Sequence, residues 1–365
     1  MRAAIGIAVL GLELVLAAGL FAAESLYVPG VALALLGLGA PAWMALAARR
    51  SGVTRRLGAR RVIEDEPLAV VYELHRRGRG PAPALALADE LLPAPRPVRV
   101  RRREVTRVHE VVSLPRRGRH VLAAPALVLS DPLGLVRRRV SSAEGNDELL
   151  ILPRTSPVRA PFSAVAVDVG TALISRSVEA AGEVDGLRPY REGAPAARIH
   201  WPALARGAGL VERRVRPEED TRPLVVLDAR EPATEEDLDA AVRAAASLCL
   251  ALARRGGCAL LLPGQRRTLA LGHDLRAWPD AHARLALVEA AAATASPRLA
   301  AARRGPVFYV AARDLHAWPA ALAGSARGER ILVLPGEAPG RTAAFSVAGC
   351  TGLRLTRPRR AAVPA

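Results

Sequence analysis

The sequence contains no lysine, so all 52 of its basic residues are arginine. That absence excludes a Walker A phosphate-binding lysine, a kinase-type lysine and Schiff-base chemistry. Cysteine is almost as scarce. Cys249, Cys258 and Cys350 are too few and too scattered for a disulfide framework or a thiolate zinc site, and they suit buried apolar positions in a reducing compartment. No G-x-S-x-G elbow is present, and no G-x-G-x-x-G follows a strand-like run. Aromatic residues make up only 3% of the chain against 51% hydrophobic residues, so its cores must be aliphatic. The net charge of +17 invites a nucleic-acid reading, but the arginines are spread along the chain among abundant alanine and proline. The runs "RRGRG" at 76–80 and "RRRE" at 101–104 carry no interleaved aromatic side chains on which bases could stack. Nucleic acid is therefore not expected as a partner.

What is present begins with two long apolar runs, Ala3–Ala23 and Leu26–Ala48, each near the ~20 residues that span a bilayer. Glu13 interrupts the first. A central acidic residue costs about 2.5–3.5 kcal/mol on insertion, while the large apolar residues of the run return about 3–6 kcal/mol. The expectation is a transmembrane helical hairpin over 1–50. A cleavable signal peptide is the rival and fits poorly, because a second long apolar run follows at once. Pairing of Glu13 with a polar group of a partner's membrane helix is a secondary reading. Arg2 precedes the first span, and Arg49, Arg50, Arg55, Arg56, Arg60 and Arg61 follow the second, whereas Glu24–Tyr27 has no basic residue. The positive-inside rule then predicts a two-pass protein of the cell membrane with both ends and the bulk of the chain cytoplasmic. The arginines after the second span are placed to attract anionic membrane lipids, at about 1 kcal/mol each.

From 51 to 150 the pattern is strand-like. Valines at 98, 100, 105, 108, 111 and 112 alternate with arginines, and Pro/Gly/Arg clusters divide the short apolar stretches. This predicts a β-rich, sandwich-like antiparallel domain. Asp131-Pro132-Leu133-Gly134 has the residues of a type I turn. From 223 to 365 the rhythm changes to strands alternating with helices: "PLVVLDA", "CALLLPG", "PVFYVAA" and "RILVLPG" as buried strands, and helices near 235–255, 281–293 and 317–326. Thr234 with the acids after it is a helix N-cap signal, and Leu238, Val242, Ala245, Cys249 and Leu252 fall on one helical face. The prediction is an α/β domain with a mostly parallel sheet covered on both faces. The remaining histidines show no metal-ligand spacing.

Between them, 151–222 reads as a linker region carrying "GEVDGLRPYREGAPAARIHWPALAR". The order of two spans, a β-rich segment ending in "DPLGL", the strand "LLILP", this motif and "LVVLDARE" resembles the bacterial membrane proteins grouped as domain of unknown function fifty-eight. The resemblance covers nearly the whole chain and implies a Rossmann-like, von Willebrand factor A-like C-terminal domain. The motif residues are Glu183, Leu187, Arg188, Tyr190, Gly193, Arg198, His200, Trp201, Ala205 and Arg206. The resemblance also implies association with a MoxR-type AAA+ ATPase and with transglutaminase-like membrane proteins. The family usually has Gly-Asp where this chain has Gly193-Ala194, and serine where it has Leu204. A metal-binding A domain carries Asp-x-Ser-x-Ser after its first strand, because carboxylate and hydroxyl oxygens suit Mg²⁺. Here those positions are Asp228, Arg230 and Pro232, so Asp228 marks a degenerate site and neither metal nor cofactor is expected.

For the motif, the expectation is a structural latch in which Tyr190 and Trp201 pack while arginines pair with acids such as Glu183 and Asp185, since the guanidinium fork binds carboxylates bidentately. A partner-docking surface is the second reading, because Tyr, Trp and Arg dominate binding hot spots. His200 has no nucleophile at motif spacing. The sequence as a whole predicts a non-enzymatic, membrane-anchored scaffold or adaptor in an assembly or envelope-related process. The alternative is a membrane-anchored hydrolase with an unrecognised site.

Overall fold

The computed structural model describes residues 2–77, 82–101, 104–159, 187–189, 205–207, 211–213, 222–291, 305–322, 328–337 and 341–355. The chain divides into two compact units, Met1–Pro115 with Arg119–Ile151, and Arg116–Gly118 with Leu152–Ala365.

Two apolar helices open the first unit, α1 (Arg2–Leu20) and α2 (Tyr27–Arg49), joined through a 3₁₀ turn at Glu24–Leu26. Both are long and apolar enough to cross a membrane. They pack as an antiparallel pair, and the seam follows a seven-residue period: Ala4, Gly11 and Ala18 are buried on α1, Gly30, Gly37 and Met44 on α2. Small residues along that seam let the two backbones approach closely and pack by van der Waals contact. The glycines are required by that contact. A Cβ on Gly11 would lie 2.4 Å from the Ala34 nitrogen, and one on Gly37 would lie 2.5 Å from the Ala8 nitrogen. Glu13 lies exposed, two residues from Gly11 and so turned away from the seam. The last turns of α2 leave the hairpin and join the β-rich core, where Met44, Ala47 and Ala48 share one cluster with Val53, Val70, Tyr72 and Leu127.

Ten strands follow: β1 (Ser51–Leu57), β2 (Arg61–Ile63), β3 (Pro67–Arg76), β4 (Ala84–Ala88), β5 (Arg96–Val98), β6 (Val105–Ser113), β7 (Gly118–Leu122), β8 (Ala126–Ser130), β9 (Arg137–Ser141) and β10 (Asp147–Leu152). They form three small sheets, ordered β1-β3-β6, β2-β10-β7 and β5-β4-β8-β9. Period-two alternation decides what each strand buries. In β3, Leu68, Val70, Tyr72 and Leu74 point inward. The β8–β9 turn closes with the Gly134 N–H donating to the Asp131 carbonyl at 3.1 Å, and the Asp131 carboxylate accepts from the Leu133 and Val136 amides.

The same alternation carries Ser51, Val53 and Arg55 inward on β1. Arg55 is 4% exposed, donates to Asp89 at 2.7 Å and Asp147 at 2.9 Å, and reaches the Leu122 carbonyl. The expectation that Arg55 faces lipid headgroups is therefore wrong. Its charge is enclosed by two carboxylates, while Arg49, Arg50, Arg56, Arg60 and Arg61 remain exposed.

In the second unit, residues 152–159 run onto the α/β layer where a linker was expected to begin. The Ser156 N–H donates to Ser247 Oγ at 2.9 Å, Pro153 O lies 2.7 Å from His282 Nε2, and Arg159 bridges Ser346. A short ribbon pairs β11 (Leu187–Pro189) with β12 (Val211–Arg213). Then come β13 (Leu224–Asp228), α3 (Glu235–Gly256), β14 (Cys258–Leu261), β15 (Leu269–Leu271), α4 (Trp278–Ala286), β16 (Val307–Ala311), β17 (Arg330–Pro335), β18 (Ala343–Val347) and β19 (Cys350–Leu355). Seven of these strands form one sheet, in the order β15-β14-β13-β16-β17-β19-β18.

The strands β14, β13, β16 and β17 are parallel, β15 and β19 run antiparallel to them, and β18 runs antiparallel to β19. The sheet is thus more mixed than expected, because short connections return the chain at both edges. At one of them, Ala348 (φ +49°) and Gly349 (φ +79°) make the two-residue turn between paired Val347 and Cys350, a geometry that matches strand twist. Thr234 caps α3 reciprocally with Asp237, and Gly257 (φ +102°) ends it. The helix expected near 281–293 is the shorter α4, and that expected near 317–326 is a 3₁₀ turn at Ala320–Leu322 among the described residues. Val225 and Leu227 face α3 and α4 in one core, while Leu224 and Val226 face Leu315, Trp318 and Leu322 in another.

Candidate functional site

The motif that carries the resemblance contributes little described structure. Leu187–Pro189 form β11, in which Arg188 stands in register with Glu212, and Arg206 is exposed just before Gly207. Glu183, Tyr190, Gly193, Arg198, His200 and Trp201 lie outside the described residues. The latch and docking readings of that stretch rest on the sequence.

The second candidate, Asp228, occupies the topological centre of the α/β sheet. From β13 the chain adds β14 on one side and later β16 on the other, so the strand order reverses between β13 and β16. Ligands of open α/β sheets bind outside the carboxyl ends of the strands at such a switch point. Asp228 is the last residue of β13 and stands beside Ala311, the last of β16.

Three side chains close that position on themselves. Asp228 is 2% exposed. Arg230 Nε donates to its Oδ1 at 2.7 Å, and Arg230 Nη2 to its Oδ2 at 2.8 Å, making a bidentate fork. The buried Tyr309 hydroxyl, arriving from β16, donates to Oδ2 at 2.5 Å. Arg230 Nη2 also lies 3.3 Å from the Tyr309 oxygen. The turn that brings Arg230 back is tight, since the next residue, Glu231, takes φ +45°. Glu231 then pairs with Arg313. Trp318 lies against Tyr309, with ring centroids 5.9 Å apart, and Arg330 sits over the Trp318 ring at 5.7 Å. Among the described residues Arg313 Nε and Trp318 Nε1 are buried without an acceptor.

The electrostatics follow from these contacts. Burial pushes the Asp228 carboxyl up, but the Arg230 fork and the Tyr309 hydroxyl outweigh it and hold the group below its ordinary value. Arg230 is raised by its bond to Asp228, and Tyr309 is raised by burial and by the same carboxylate. The triad is a carboxylate, a guanidinium and a neutral phenol, with no net charge. An arginine fork covers both carboxylate oxygens that a divalent ion would need. Among the described residues no group of three His, Cys, Asp or Glu converges as a metal site would require.

The cysteines offer no reactive thiol. All three are free and buried. Burial raises Cys249, and burial with the neighbouring Asp237 pushes Cys350 up to about 12, so both stay protonated at neutral pH. His282 is buried, stacked on Trp278 at 4.7 Å.

Sequence reasoning found Asp228 and Arg230 but missed Tyr309, Glu231, Arg313 and Trp318. One signal existed: Tyr309 sits in "PVFYVAA", a strand buried on both faces, and a buried phenol needs a polar partner.

No family model and no curated protein matches the chain. Among solved structures, it is similar to the sporulation control protein Spo0M from Bacillus subtilis at 10% identity and a TM-score of 0.18, over 39% of this chain and 58% of that one. The chain therefore spans just over half the length of that protein, and a likeness this slight carries no argument about fold or function.

Proposed function

We propose that the chain is a membrane-anchored, non-enzymatic scaffold that holds a von Willebrand factor A-like domain against the cytoplasmic face of the cell membrane. The two N-terminal spans are the anchor, with Arg2, Arg49 and Arg50 on the cytoplasmic side. Membership in the domain of unknown function fifty-eight family, and a MoxR-type AAA+ ATPase as the partner, belong to this proposal. They rest on the motif and on the order of segments in the sequence.

The observation that carries the non-enzymatic part is the closed triad. At the switch point, where an α/β enzyme exposes its reacting groups, Arg230 and Tyr309 cover both oxygens of Asp228. A carboxylate bound this way is a poor base and a poor metal ligand, but it makes a rigid platform for the loops around it. The ion pair nearby, exposed Glu231 with half-buried Arg313, suits recognition better than chemistry.

The test is reconstitution. Full-length protein in detergent is mixed with a purified MoxR-type ATPase from the same cell, with and without ATP, and complex formation is read by light scattering. A stable complex retained when Asp228 is replaced with Asn supports a metal-independent scaffold. Absence of a complex in every nucleotide state, or hydrolytic turnover abolished by Asp228→Asn, overturns it.

A further inference from the structure

Glu13 has no described partner within its own chain and lies on the outward face of a helix that the proposed anchor places in lipid. The surrounding surface is apolar: Leu10 and Leu16 are about half exposed, and Leu20 more so. Because the seam with α2 uses Ala4, Gly11 and Ala18, the opposite face of α1 carries its own seven-residue series, Gly6, Glu13 and Leu20. Leu10 and Ala17 flank it at the intervening positions. A Cβ built on Gly6 meets no atom within 4 Å, so that position is open to close approach from outside. One polar residue within such an apolar seam is the device that fixes register and oligomeric state in paired helices.

We infer that this face of α1 binds the same face of a second copy of the chain. The inference rests on the proposed membrane anchor. Two copies inserted with the same orientation are related by a two-fold axis along the membrane normal, which sets each residue of the seam against itself. Gly6 meets Gly6 and permits contact, and Glu13 meets Glu13. A protonated carboxyl is both donor and acceptor, so two facing carboxyl groups bond each other and each removes the other from hydrocarbon. No basic side chain is needed, and neither span supplies one at that depth.

The experiment uses single cysteines in the full chain in native membranes, where Cys249, Cys258 and Cys350 are buried. Leu20→Cys and Ala17→Cys should oxidise to a homodimer. Leu12→Cys, off the seam, and Leu35→Cys, on α2, should react at least fivefold less. Adding Glu13→Leu to Leu20→Cys should cut the dimer at least fivefold, whereas Glu13→Gln, whose amide keeps a donor and an acceptor, should retain it. Equal cross-linking at all four positions, or dimer unaffected by Glu13→Leu, overturns the inference, as does cross-linking to a different protein. Alkaline extraction separates the two readings. A chain that leaves the membrane overturns both, and one that stays but fails to cross-link overturns the dimer alone.

Discussion

Asp228 shows how one residue changes the chemistry of a site. With Arg230 two positions on, the Asp228 carboxylate becomes the anion of an internal ion pair. Removing one partner of a buried pair leaves the other charge uncompensated, so Asp228→Ala should cost about 3–5 kcal/mol. Tyr309→Phe, which removes the hydroxyl's bond to Asp228 and the longer one it accepts from Arg230, should cost about 1.5–3 kcal/mol. Thermal melts of the detergent-solubilised protein should rank wild type above Tyr309→Phe and Tyr309→Phe above Asp228→Ala, and Mg²⁺ should shift none of them. The pH dependence has a definite sign. A carboxyl held below its unfolded value of 3.8 stabilises the fold fully above that pH, and the contribution fades as pH falls through the folded value. The gap between wild type and Asp228→Asn should therefore be constant from pH 5 to 8 and narrow below about pH 4.

Among the elements, the helical hairpin is the most sharply specified, because its contact depends on glycines with no room for a Cβ. Gly37→Val should force α1 and α2 apart, and disulfide formation between cysteines at Ala4 and Met44 should then fall. Gly39→Ala, two residues along the same helix, meets no atom within 4 Å and should be neutral or stabilising by about 0.5–1 kcal/mol through helix propensity. If both substitutions behave alike, the seam is not the determinant of the pair. The hydrophobic run was legible as a helix but the seam was not, since hydropathy treats every apolar position alike. The small residues at seven-residue spacing were in plain view and needed only to be counted along the helix.

For the molecule as a whole, the helical hairpin and the β-rich strands are not separable parts. Met44, Ala47 and Ala48 of α2 belong to the core that Val53, Val70 and Tyr72 complete. A chain beginning at Ser51 lacks those residues and should be less stable than one beginning at Ala40 by at least the about 2–5 kcal/mol expected for emptying one Met site. Denaturant unfolding of the two fragments in detergent, followed by circular dichroism, measures this. Equal midpoints would mean that α2 contributes nothing to the β-rich core.

The sequence by itself determined the two long helices, the strands Leu224–Asp228, Cys258–Leu261, Val307–Ala311 and Arg330–Pro335, and the Thr234 cap, because each is written in a local period or a local hydrogen bond. Even Arg55 was readable in principle, since Ser51, Val53 and Arg55 alternate inward, but composition alone classed it with the exposed arginines. Only tertiary structure decided where its charge goes: Asp89 and Asp147 lie 34 and 92 residues away. The same holds for Tyr309, which meets Asp228 across 81 residues because β13 and β16 become neighbours. Strand order and the pairing of distant charges arise from long-range contacts. A local pattern can say that a residue is buried, but not what it is buried against.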